Sequence, residues 1–154
     1  MKFNYLIIPL IVAAVSFFGS RITSSGMDWY KIINIPSWTP PGWVIGLVWT
    51  AIFILAAISI ILFWNIQPRP NVFYWVIALF IFNAILNVLW SYLFFGQHLI
   101  GWAVIEAIAL GLSVLVLIIL ILPINKTAAF LLTPYMCWVF FASYLTYSIW
   151  LLNK

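Results

Sequence analysis

Few side chains in this sequence can do polar chemistry, which makes each of them informative. Asn83 and Asn87 stand one helical turn apart in an apolar run, and Glu106 is the one acid well inside another. An unpaired amide or charge in hydrocarbon is costly, so each must find a partner or a function. Two readings are open for each. Asn83 and Asn87 clamp neighbouring helices, or Asn87, set between aromatics, faces a ligand. Glu106 bonds a neighbouring helix as a neutral acid, or it serves a proton or substrate path.

Conventional catalytic constellations are missing. His98 is the single histidine, and no second ligand is spaced with it for a metal. Asp28 and Glu106, the two acids, lie in different environments and form no acid–base pair. There is no Gly-rich phosphate loop. Indole and phenol are plentiful instead, with ten Trp and seven Tyr. Such rings stack on flat apolar ligands and can donate an electron to a photoexcited one.

The elements that position these groups follow from composition. The 154 residues are 68% hydrophobic and 5% charged. A helix needs about 20 apolar residues to cross a bilayer core, and five such runs occur, at about 4–22, 41–66, 71–95, 98–122 and 127–152. Backbone groups in lipid must bond internally. The chain is therefore predicted to be an all-α integral membrane protein, a five-transmembrane-helix bundle forming one domain over 1–154. Lys2 ahead of the apolar stretch 5–18, with Ala14-Val15-Ser16, resembles a secretory signal, but the run continues to Arg21, which favours a retained first helix.

The breaks after the second, third and fourth helices are short, so consecutive helices must be antiparallel neighbours. Only 23–40 is long enough to fold over an end of the bundle as a lid. It ends in Trp38-Thr39-Pro40-Pro41-Gly42-Trp43, where two prolines remove backbone donors and can only open a helix. Ser37 and Thr39 are candidate caps, and Gly96 is a candidate for the residue closing the third helix. Six basic residues are spread singly, which excludes a nucleic-acid surface. Lys2, Arg69 and Lys126 on one side balance Arg21, Lys31 and Lys154 on the other, so charge sets no orientation. Cys137 is alone and forms no internal disulfide.

Helical spacing sorts the remaining residues into stripes. Gly42, Gly46, Trp49, Phe53 and Ala56 share a face of the second helix, and Gly42-xxx-Gly46 permits close helix approach. Asn83, Asn87, Trp90 and Phe94 share one on the third, with Ser91 at its edge. Tyr135, Trp138, Ala142 and Leu145 align on the fifth, where Ala142 beside Trp138 leaves a gap that a flat ring could fill. These stripes predict one cavity under the lid, lined by Trp49, Phe53, Asn87, Trp90, Trp138 and Ala142; ordinary packing is the alternative. Ala103, Ala107 and Gly111 form a small-residue ladder suited to a close contact, within the protomer or across a dimer.

Trp29-Tyr30, Pro36-Ser37-Trp38-Thr39-Pro40-Pro41, Trp49, Asn87-Val88-Leu89-Trp90-Ser91, Phe94-Phe95-Gly96, Gly101-Trp102-Ala103 and Pro134-Tyr135-Met136-Cys137-Trp138 through Phe141-Ala142 together resemble the TspO/MBR family. This is the family of tryptophan-rich sensory proteins and of the mitochondrial translocator protein, or peripheral benzodiazepine receptor. The resemblance covers nearly the whole chain. It implies a homodimeric five-helix receptor, sensor or carrier in a membrane, most simply a bacterial cell membrane, that binds porphyrins and related flat aromatic or lipid ligands. It implies pocket positions at Tyr30, Trp38, Pro40, Trp49, Phe53, Asn87, Trp90, Ser91, Trp138 and Ala142. It also implies light-dependent porphyrin breakdown, with Trp49 and Trp138 as electron-donating indoles and porphyrin as ligand or substrate rather than cofactor. Glu106 stands where relatives often carry an acid, and a transport component using it is the alternative. The chain departs from the proposed sterol motif, because Tyr147 and Lys154 are separated by six residues where the motif allows at most about five.

Overall fold

The computed structural model describes residues 3–154, and among these there is no strand. Lys2, used in the signal and charge readings, lies outside them. The helices are α1 (Asn4–Ser25), α2 (Met27–Tyr30), α3 (Gly42–Trp64), α4 (Phe73–Ser91), α5 (Ile100–Ile121), α6 (Lys126–Phe130) and α7 (Thr133–Leu152). A π-helical segment, Tyr92–Gly96, continues α4. Five spans are long and apolar enough to cross a membrane: α1, α3, Phe73–Gly96, α5 and Lys126–Leu152. The five-helix membrane architecture predicted from composition is thus the one observed.

Local chemistry sets the ends, and in three places it differs from the sequence reading. Thr39 caps nothing; its hydroxyl donates to the Pro36 carbonyl at 2.7 Å and tightens the lid. Pro41 precedes the helix with extended backbone (φ −57°, ψ 145°), and its carbonyl accepts from the Val44 and Ile45 amides at 2.9 and 3.2 Å. Gly96 does not close the third span in a left-handed turn. The wider π segment carries the chain on until Leu99 N–H reaches Leu93 O at 2.9 Å, and His98 takes the left-handed conformation (φ 58°). In the last span, Asn125 caps α6 by accepting from the Ala128 amide at 2.9 Å, and Pro134 occupies the first turn of α7, where its missing N–H costs no helical bond.

The helices pack unequally. α5 and α7 form the most extensive pair. The ladder residues Ala103 and Ala107 are buried, and a Cβ added at Gly111 would lie 3.4 Å from Val139 and 3.6 Å from Phe140. The ladder therefore serves a contact inside the protomer. The pair Gly42 and Gly46 does not, since both face open space. Phe63, Val76, Val114, Leu117, Ile121 and Leu132 fill the core between α3, α4, α5 and the last span. The Ser59 hydroxyl ties α3 to α6 through the Ala128 carbonyl at 2.7 Å. α1 rides on the outside, with 6% of its apolar stretch buried against 44% for α5.

The connection 26–41 crosses one end of the bundle. Gly26 is buried at the corner after α1, where any Cβ would fall on the Phe95 carbonyl oxygen, so only glycine lets the chain turn there. At the far side of the bundle end the Asn34 amide donates to Asn153 Oδ1 at 2.9 Å, and Asn153 Nδ2 returns a bond to Asn34 O at 2.7 Å. The connection is thereby fastened to the end of α7.

Candidate functional site

The aromatic and amide stripes of α3, α4 and α7 converge below this connection, and the rings fall into three groups. Trp29 stacks on His98 with centroids 4.1 Å apart, and Tyr30 packs against Phe94 and Phe95 at 6.1 and 5.6 Å. Trp90 stacks on Phe94 at 5.1 Å. Burial raises the Tyr30 phenol above its ordinary pKa, favouring the neutral form. On the α7 side Trp38 stacks on Tyr144 at 5.6 Å and meets the edge of Phe141 at 6.1 Å. Phe141 in turn lies 5.2 Å from Trp138. In the third group Trp49 packs against Phe53 at 5.6 Å and edge-on to Tyr135 at 6.0 Å.

Tyr135 joins the aromatic groups to the amides. Its hydroxyl donates to Asn83 Oδ1 at 2.9 Å and accepts from Asn87 Nδ2 at 3.2 Å. Asn83 Nδ2 donates to Ser113 Oγ at 2.7 Å, and Ser113 donates to the Leu110 carbonyl at 2.7 Å. The amides thus clamp α4 to α5 and α7, which is one of the two readings their spacing left open. Asn87 also borders a cavity, so the second reading has a geometric counterpart.

Other polar groups have no partner among the described residues. The indole N–H groups of Trp90 and Trp138 are buried and unbonded, as are both carboxyl oxygens of Glu106. The expectation that Glu106 bonds a neighbouring helix is therefore not met. Ser91 is buried and Ala142 half-buried, each one turn or less from these indoles, while Pro40 is half-buried in the connection.

A cavity among the described residues is displaced from the one the stripes predicted. It holds about 570 Å³ and lies between α1, α3 and α4. Of the predicted lining only Phe53 and Asn87 border it; Trp49, Trp90, Trp138 and Ala142 do not. The reason is packing: under the connection the rings lie against one another, whereas α3 and α4 make little contact with each other and α1, packed against both, leaves the space between them open along its first half. Tyr135 and Asn83 form part of the cavity's inner wall, and the contribution of α1 had no signal beyond hydropathy. No group of His, Cys, Asp and Glu among the described residues can hold a metal ion.

This arrangement belongs to a recognised lineage. A model of the TspO/MBR family matches residues 7–151. The chain belongs to the TspO/MBR family. The tryptophan-rich protein TspO of Bacillus cereus is 32% identical over 154 residues, 99% of each chain. That of Archaeoglobus fulgidus is 37% identical over 150 residues, covering 94% of this chain and 93% of the relative. The human translocator protein is 30% identical over 139 residues, covering 87% and 80%. Family membership agrees with the five apolar spans and makes this a multi-pass membrane protein of the tryptophan-rich sensory and translocator type.

Proposed function

We propose that this family member is a membrane receptor, sensor or carrier for porphyrins and related flat aromatic ligands. The supporting observation is the pair of buried, unbonded indole N–H groups of Trp90 and Trp138 among the faces of Tyr30, Trp38, Trp49 and Phe53. A flat conjugated ligand with acceptor atoms satisfies both needs, stacking on rings and accepting from the indoles. Pro40, Asn87, Ser91 and Ala142 complete the proposed site. A ligand enters it by parting the Trp38 and Tyr144 stack and lifting the connection, because the rings otherwise occupy the space. The proposed assembly is a homodimer in a bacterial cell membrane, with lipid as its second partner.

Titration of the purified protein with protoporphyrin in the dark tests the reading; no saturable binding overturns it. Ala142→Phe adds a ring beside Trp138 in the space a bound ligand would take and is expected to weaken binding at least about tenfold, equivalent to roughly 1.4 kcal/mol. Unchanged affinity removes Ala142 from the site.

The finer proposal is chemical: an indole gives an electron to the photoexcited porphyrin, and Trp49 and Trp138 are the donors. Phenylalanine keeps a stacking surface without that donor. Trp49→Phe and Trp138→Phe should retain most binding and lose light-dependent breakdown, read from the pigment spectrum under illumination. Breakdown at the original rate in the double variant, with binding confirmed, leaves the indoles a shaping role only. A second reading, a transport component, draws support from the unbonded Glu106 carboxyl in the bundle; Glu106→Gln should then abolish proton-coupled ligand flux in vesicles while sparing porphyrin binding.

A further inference from the structure

The cavity between α1, α3 and α4 has features that the proposed porphyrin site does not use. It begins at Asn4 and the connection bearing Arg69 and ends at Asn83, Asn87 and Tyr135. Between those ends its lining is aliphatic and aromatic. Along α1 it extends from Asn4 to Val15, a rise of about 16 Å at roughly 1.5 Å per residue. That is about half of a hydrocarbon core some 30 Å thick, or one leaflet. Its rim includes the exposed side chains of Ile7, Ile11 and Ile81, so it opens sideways between the helices. The volume of about 570 Å³ is within the ordinary range for a ligand site.

The polar end is incomplete. Asn4 is 93% buried, its side chain being part of the wall, and its amide nitrogen has no acceptor among the described residues. Arg69 lies exposed at the mouth with its guanidinium 4.6 Å above the Phe73 ring. The chain has two acids; Asp28 is bonded to Lys31 at the opposite end of the bundle, and Glu106 is within α5. Arg69 therefore has no carboxylate of its own to pair with. Two donors at the level of the lipid headgroups, above a leaflet-long apolar slot, are complementary to an anionic amphiphile.

We propose that this groove seats one acyl chain of an anionic membrane phospholipid, with its phosphate held by Arg69 and Asn4. The chain lies along α1 and ends against Phe53 near the Asn83–Tyr135–Asn87 cluster. The groove meets the proposed porphyrin site only at Phe53 and Asn87, and the proposal does not depend on that reading. A lipid held there fills the space between α1, α3 and α4 that the protein alone leaves open.

The test uses the full chain in phosphatidylcholine vesicles containing a trace of chain-spin-labelled phosphatidylglycerol or phosphatidylcholine. Electron spin resonance reads the immobilised fraction. The anionic label should associate more strongly than the zwitterionic one. Arg69→Gln should reduce that preference about fivefold, the equivalent of about 1 kcal/mol for a basic residue near anionic lipid. Ala84→Phe, on the groove wall, should remove the specific component for both labels. Equal association of the two headgroups, or a preference unchanged in Arg69→Gln, overturns the proposal, and because Arg69 is exposed that variant folds whatever Ala84→Phe does. Displacement of the label by protoporphyrin also overturns it, since the groove would then be the porphyrin's own.

Discussion

The two sides of the bundle solve the same packing problem in opposite ways. At the α5–α7 seam, Ala103, Ala107 and Gly111 let backbones approach until Val139 and Phe140 sit against the glycine. Beside α1 the facing residues are Ile7, Ile8, Phe53, Ile60 and Phe80; α1 touches both α3 and α4, but those two scarcely meet, and a cavity of about 570 Å³ is left between the three. Lipid offers no hydrophobic drive to close such a gap, because tails are as apolar as the side chains. Close contact therefore arises where small residues permit it, and a slot persists where they do not. Tight packing and open space are thus divided between two sides of one small protein.

The comparison predicts unequal responses to added bulk. Gly111→Leu should have the largest effect, a loss of about 3 kcal/mol from overpacking, read as a lowered midpoint of unfolding in detergent. A midpoint that does not move would remove the distinction between the two sides. Tyr135→Phe acts at the joint between them. It deprives Asn83 Oδ1 of its donor and Asn87 Nδ2 of its acceptor, and should cost about 2 kcal/mol. Ala84→Phe adds a ring on the open side and should change stability by less than about 0.5 kcal/mol while abolishing lipid association. A loss as large as that of Gly111→Leu would mean that the groove is closed in the membrane.

The smallest effect belongs to the exposed pair Asp28–Lys31, 2.8 Å apart. The hydrogen bond from Lys31, and then its charge, hold the Asp28 carboxyl below its ordinary range. Whatever stability this adds is present above the ordinary carboxylate pKa of about 4 and is lost as pH falls through the lowered folded value. Full exposure leaves the pair little to contribute, so Asp28→Asn should unfold like the parent at neutral and at acid pH.

The site was partly legible in the sequence. Asn83 and Asn87 declared themselves because an amide in hydrocarbon must be answered, and the structure supplies Ser113 and Tyr135. The ladder declared itself through residue size. Glu106 declared its burial but not the absence of a bonding partner, since that depends on side chains from other helices. The position of the cavity was not legible, because it depends on how far apart α3 and α4 lie where α1 bridges them.

What the sequence determined by itself is what apolar length and residue type control: five spans, a long connection between the first two, and a stock of indole, phenol and amide side chains. Its ordered motifs carried the family resemblance as well. The tertiary structure alone decided which faces meet. In a soluble helix the contrast of polar and apolar residues marks the inward face. A helix surrounded by lipid is apolar on every side, so that contrast vanishes. Gly42 and Gly46 face open space while Gly111 is pressed against α7, although the sequence offers both as close-contact positions. Only the crossing of the helices, set by the bulk of side chains brought together from distant parts of the chain, separates the two.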